Sequence, residues 1–425
     1  MSANNNDFIT ELTKQAESGN TKSQHNLAER YKSGDGVKCN ISRHIMWLIQ
    51  SAENGNANAQ FDLAEYFYNG IVLEQNYSEA IKWYKKAAEQ DLAEAQYSLG
   101  LIYEKGEGIT QNFAEAVKWY TKASKQGLND ALFNLAVLYE SGKGVEKNMT
   151  TAAKLLKSAA LNGHIKSQLN LGILCFNGKG VERDLFEAKR WFTEAAEQGD
   201  IHSQFNLGKC YEELGTNQDL FYAFKLYEKS AEQGLDDAIL NLARCYEKGK
   251  GVKADIEKAV EMYKILAIKG IAVAQYNLAM CYKDGKGVKQ SWVDAVKWFS
   301  KAEMQEHTDA RYQLARCYEN GTGVKKDMGK AVNLYIKSAL KGNANAQFCI
   351  ALCYERGNGV IPNMPKAIEW YEKAVESGVP GAQCNLAILY YNGNGVEKNL
   401  EKAKELFRLS ASQGNKVARS YLTKI

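Results

Sequence analysis

Nine cysteines and five histidines are the residues of this chain best suited to metal or redox chemistry. Cys210, Cys245, Cys281, Cys317 and Cys353 recur at intervals of 35 or 36 residues. On helices packed about 8–10 Å apart, neighbours in such a column exceed the roughly 7 Å Cα separation that a disulfide spans. They read as small core residues. Cys349 and Cys353 share one helix face, and Cys317 and Cys384 lie in the adjacent segments. No histidine is spaced to help them hold zinc, so buried thiols are the better reading. The histidines are scattered, and there is no HExxH, phosphate-loop or nucleophile-elbow pattern. The GxG turns end helices and do not follow strands, which excludes nucleotide loops. No catalytic residue, cofactor or metal is expected.

Recognition chemistry is more legible. A polar column recurs with the same period and includes Asn26, Asp62, Ser98, Asn134, Asn170, Asn206, Asn241, Asn277 and Asn385. An asparagine amide offers both donor and acceptor, which suits the backbone of an extended peptide. Just before this column stand Phe61, Tyr97, Phe133, Phe205, Tyr276, Tyr312 and Phe348. A third column varies along the chain: Glu29 and Glu65, then Leu101, Val137 and Ile173, then Lys209, Arg244 and Arg316. The candidate partner-binding residues are therefore Asn134, Asn170, Asn206, Asn241, Asn277, Phe205, Tyr276, Tyr312, Lys209, Arg244 and Arg316. Two alternatives stand beside this. The asparagines and aromatics also suit bonding and packing between repeats. The three bases each precede a glutamate by three residues (Glu212, Glu247, Glu319), a weak helix-face pairing of about 0.2–0.5 kcal/mol.

The elements that position these columns follow from the repeat itself. In Ala95–Gly127, Leu99, Gly100, Ile102 and Tyr103 have the spacing of an apolar helix face. Gly106 and Gly108 stop that helix. Asn112 caps a second helix, with Glu115 expected to return a capping-box bond. Ala116, Trp119, Tyr120 and Ala123 form its buried face. Gln96 aligns with Gln24, Gln60, Gln168, Gln204, Gln275, Gln347 and Gln383 at a period of 36, shortened once to 35. The cap column reads Asn40, Asn76, Asn112, Asn148, Asp184, Asp219, Asp255, Ser291, Asp327, Asn363 and Asn399, all acceptors for a first helical turn. This column also explains the sequons at Asn40, Asn76 and Asn148. The fold class is all-α: an α/α superhelical solenoid of eleven 36-residue helix-turn-helix repeats.

Residues 1–6 are polar and expected to be disordered, and residues 7–425 form one solenoid. A half-repeat spans 7–19, the repeats 20–414, and a second half-repeat 415–425. Three seams interrupt the pattern. His44 stands where later repeats have Ala, the sixth turn is one residue short at Glu213–Thr216, and Glu306 replaces a terminal glycine before His307. Trp292, at the start of a second helix, is expected to be exposed.

With a net charge of +4 and signs alternating along the helices, the chain is not expected to bind nucleic acid. Lysines near the turns, such as Lys143, Lys250, Lys286 and Lys325, form a solvated edge. No segment has signal-peptide character or the roughly 18 apolar residues of a membrane span. The expectation is a reduced, cytoplasmic protein without membrane insertion.

The pattern AxxxLGxxYxxGxGVxxNxxxAxxWYxxAAxxG resembles the Sel-one-like repeat (SLR) family, relatives of the tetratricopeptide repeat. The distinguishing GxGV turn stands at Gly142/Gly144/Val145, Gly178/Gly180/Val181, Gly285/Gly287/Val288 and Gly393/Gly395/Val396, among others. The resemblance implies a non-enzymatic scaffold or adaptor presenting a concave groove to a peptide segment or protein domain. In tetratricopeptides the matching asparagine faces that groove. The alternatives are a structural spacer within a larger assembly, or a relative of cysteine-rich bacterial repeat proteins proposed to bind or hydrolyse β-lactams. The paired cysteines of those relatives are missing from this sequence.

Overall fold

The computed structural model describes the backbone of residues 2–425 and the side chains from Asp7 onward. The expected disorder of residues 1–6 lies outside the described side chains. The described residues form 24 α-helices and no strand.

Each repeat is a pair of helices, most of them 13 residues long. In the third repeat the first helix is Ala93–Lys105 and the second Phe113–Lys125. Gly106 ends the first at φ 76°, and its N–H donates to the Ile102 carbonyl. An L side chain strains in that left-handed conformation, so glycine is placed there. The second glycine of the turn serves close approach. A Cβ on Gly144 would lie 2.3 Å from the Phe113 carbonyl carbon of the preceding repeat.

The cap column holds at ten of its eleven positions. Asn112 Oδ1 accepts from the Glu115 N–H at 3.1 Å, and Asn399 Oδ1 from the Lys402 N–H at 2.9 Å. The return arm expected of Glu115 is corrected. Its carboxylate accepts from Lys118 Nζ, while the Asn112 N–H donates to the Tyr103 carbonyl at 2.8 Å. That bond closes the turn onto the first helix and leaves no amide for Glu115. Asp219 is the exception in the column. In the shortened sixth turn Thr216 Oγ1 accepts from the Asp219 N–H at 3.1 Å. Thr216 is the cap, and Asp219 sits in the first turn of Asn217–Glu232.

A buried ladder joins successive repeats. Gln96 is wholly buried; its Nε2 donates to the Ala88 carbonyl at 3.1 Å, and its Oε1 accepts from Gln126 Nε2 at 2.9 Å. Gln60 and Gln275 do the same with Ala52 and Ala267. The glutamines thereby satisfy carbonyls at helix C-termini that the helix itself leaves open. Where the column is Arg311, the guanidinium donates to Glu303 at 3.0 Å instead.

The chain divides into two compact units, residues 1–219 and 220–425. The first holds the opening half-repeat helix, whose Leu12 and Ala16 are buried against Leu27 and Ala28. Its core continues through Trp47, Trp83, Trp119 and Tyr120. In the second, Tyr263, Phe299, Tyr335, Tyr371 and Phe407 are buried on successive second helices, and Ala418 of the closing helix Lys416–Leu422 completes the stack.

The seams have local explanations. His44 is wholly buried, with Nδ1 2.9 Å from the Ala28 carbonyl and Nε2 3.0 Å from Tyr66 Oη. Glu306 adopts φ 60° in the left-handed site that glycine fills elsewhere, and Asp91 does so at φ 62°. Trp292 is half-buried and packs on the Ala295/Phe299 core, which corrects the expectation of an exposed ring.

Candidate partner-binding face

Residues 133, 134 and 137 show how the first helix exposes one face. Phe133 and Asn134 are half-buried and Val137 is exposed, while Ala131, Leu132, Leu135, Ala136 and Leu138 are buried. Positions i, i+1 and i+4 share a side of a 3.6-residue helix. The aromatic, asparagine and variable columns therefore project together at every repeat.

In the first unit the candidate amides are partly engaged. Asn134 Nδ2 donates to Tyr120 Oη at 3.2 Å, and Tyr97 Oη lies at 3.5 Å. Tyr120 in turn donates to Glu104 Oε2 at 2.6 Å. Asn206 Nδ2 donates to the His202 carbonyl of its own helix at 2.8 Å. Asn170 is half-buried, and no hydrogen-bond partner of its amide is seen among the described residues. Lys209 Nζ lies 5.8 Å from the Phe205 ring centroid and 5.2 Å from that of Phe176, within cation–π range.

In the second unit the bases meet the other two columns. Arg244 Nη1 donates to Asn241 Oδ1, and Arg316 Nη1 to Tyr312 Oη, each at 3.3 Å. The expected i,i+3 partners are engaged elsewhere. Glu247 accepts from Tyr263 Oη and Glu319 from Tyr335 Oη, both at 2.6 Å. Both guanidinium groups remain exposed. Tyr276 stacks on His307 with centroids 4.8 Å apart. Tyr276 and Asn277 line a cavity of about 210 Å³ with Glu247, Met280 and Lys286. No hydrogen bond from the Asn277 amide is seen among the described residues.

The tyrosine–glutamate bond escaped the sequence reading, although it recurs. Tyr84, Tyr120, Tyr263, Tyr335 and Tyr371 each donate to a glutamate of the same repeat's first helix. Burial raises the pKa of all five phenols, and the neighbouring carboxylate raises it further. The signal was a Glu column sixteen residues before the Tyr column. In the second repeat Tyr68 occupies the Glu position, and Glu65, one turn earlier, takes over the bond at 2.5 Å.

The cysteines considered for zinc are free thiols: Cys317, Cys353 and Cys384 are buried and Cys349 half-buried. Cys39 alone of the nine is exposed. Away from the candidate face, a cavity of about 530 Å³ lies beside Ala153, Leu171, Cys175 and Trp191, rimmed by Lys154 and Arg183. Ala153 opens it, because Ile81, Val117, Val260 and Ile368 fill the same column elsewhere.

Regular helix pairs joined by a glycine turn, with adjacent pairs packed, define an all-α repeat solenoid of the tetratricopeptide-like class. Such repeats generally serve as protein-interaction scaffolds. Residues 21–415 match the Sel1 repeat in eleven consecutive copies, and the chain belongs to that family. It is 32% identical to a protective antigen of uropathogenic Escherichia coli that displays an SLR fold, with a TM-score of 0.78 over 98% of this chain and 89% of the antigen. A Sel1 repeat protein from Oxalobacter formigenes is 28% identical over 81% of this chain and 89% of its own, with a TM-score of 0.44. No curated protein matches the chain.

Proposed function

We propose that the chain is a non-enzymatic scaffold or adaptor that holds a peptide segment or protein domain on its first-helix face. The observation that carries this reading is in the second unit. The Asn277 amide, beside Tyr276 at a cavity of about 210 Å³, has a donor and an acceptor to offer. On the same columns, the exposed Arg244 and Arg316 favour acidic side chains or a free carboxylate. A net hydrogen bond contributes about 1 kcal/mol and one to a charge about 1.5–3 kcal/mol. Two amides and two arginines thus supply a large share of the roughly 8 kcal/mol of a micromolar complex. Asn134, Asn170, Phe205, Asn206 and Lys209 offer the same chemistry in the first unit. The nine free thiols support a reducing, cytoplasmic setting.

A structural spacer is the second reading. It is favoured by Asn134 and Asn385, whose amides donate to Tyr120 and Tyr371 of the preceding repeats. The deciding experiment recovers the partner by affinity capture from the native cell, then measures its binding to purified variants. Asn241→Ala/Asn277→Ala and Arg244→Glu/Arg316→Glu are each expected to weaken binding at least tenfold with the melting temperature nearly unchanged. Lower melting in the asparagine pair, with intact binding in the charge reversals, would make these columns structural.

A further inference from the structure

The opening repeats place different chemistry on the same three columns. His25 stands in the aromatic column, Glu29 in the variable column, and Asp62 in the asparagine column of the next repeat. His25 and Glu29 are one turn apart on the helix Thr21–Ser33, and Asp62 lies on Ala57–Asn69. All three are half-buried, and their ligating atoms lie within 4.8 Å of one another. His25 Nε2 is 2.7 Å from Asp62 Oδ2. Glu29 Oε1 is enclosed, and no hydrogen-bond partner for it is seen among the described residues. An enclosed carboxylate oxygen without a donor is costly, and here it borders an imidazole and a second carboxylate.

We propose that His25, Glu29 and Asp62 form a binding site for a divalent transition-metal ion, with zinc as the probe. One nitrogen and two carboxylate oxygens are a ligand set that zinc accepts at about 2.0–2.2 Å. Tetrahedral bonds of that length put ligand atoms roughly 3.4 Å apart, inside the 4.8 Å spread, so side-chain rotation is enough to close the site. The charge also fits. Two carboxylates face one ammonium, Lys32 Nζ, 3.7 Å from Glu29 Oε2. Arg30 is turned away to Asp35 and Asn26. A divalent cation therefore enters a site of net negative charge. Three protein ligands leave a position for water. The expectation of no metal rests on the cysteines reading as buried thiols and on the histidines being scattered in sequence. These ligands are split between helices a repeat apart, and only packing unites them.

The test is calorimetric titration of zinc into the metal-free full-length chain, in a Cys39→Ser background that removes the exposed thiol. One zinc per chain is expected to bind, with Glu29→Gln and Asp62→Asn each weakening it about tenfold or more. Both changes keep side-chain shape, and circular dichroism checks their folding. The imidazole resonances of the parent chain give a reading that needs no ligand variant: His25 is expected to shift on zinc addition and His164 to stay. Absence of binding, unchanged affinity in both carboxylate variants, or an unmoved His25 resonance would overturn the site.

Discussion

Tyr120→Phe removes one oxygen from a wholly buried ring and tests what the asparagine column does. That oxygen donates to Glu104 at 2.6 Å and accepts from Asn134 Nδ2 at 3.2 Å. The first bond is to a charge and contributes about 1.5–3 kcal/mol; the second is neutral and contributes about 1 kcal/mol. Glu104 is half-buried, so water recovers part of the first. The expected loss is about 2 kcal/mol for Tyr120→Phe and about 1 kcal/mol for Asn134→Ala. The two changes share one bond, so the double variant falls short of additivity by about 0.5–1 kcal/mol. A long repeat array need not unfold in one step, so the assay is amide hydrogen exchange read segment by segment. A loss of 2 kcal/mol raises local opening roughly 30-fold, and the effect should centre on the third and fourth repeats. Glu355, Tyr371 and Asn385 repeat the arrangement at 2.5 and 3.1 Å and serve as a replicate. If Asn134→Ala and Asn385→Ala leave exchange unchanged and the double variants are additive, the amide–tyrosine bond does not stabilise repeat stacking.

Burial pushes the thiols of Cys210 and Cys353 up to about 12 and those of Cys281 and Cys349 up to about 11. Because the thiolate is the nucleophile, brief alkylation of the native protein at neutral pH should label Cys39 first, and denaturation should release all nine thiols; mass spectrometry reads both. Burial also lowers the pKa of His307, with Asp309 opposing, while His307 Nδ1 accepts the Ala310 N–H at 3.3 Å as a helix cap. The unfolded chain then binds the proton more readily, so stability present above about pH 6.5 is lost as pH falls. His307→Asn, the residue found at Asn343 and Asn415, should flatten that loss between about pH 7 and pH 5 in thermal melts; an equal acid sensitivity in the variant would refute the assignment.

Local physics made most of the architecture legible. A left-handed site calls for glycine, a first helical turn calls for an oxygen acceptor, and an apolar anchor recurs each 36 residues, so Gly106, Asn112 and Leu99 mark their own roles. Asp219 shows the limit of that register, because one residue lost from a turn moved the cap to Thr216. Contacts made across helices were decided only by the tertiary structure. The carboxylate that accepts from Tyr84, the tyrosine that accepts from Asn134 and the meeting of His25 with Asp62 depend on distances between side chains on separate helices. Periodicity says which face a residue occupies. Whether its polar atoms meet a neighbour or stay open to a partner is set by how closely the neighbouring helix packs, and by which side chain the next repeat places opposite.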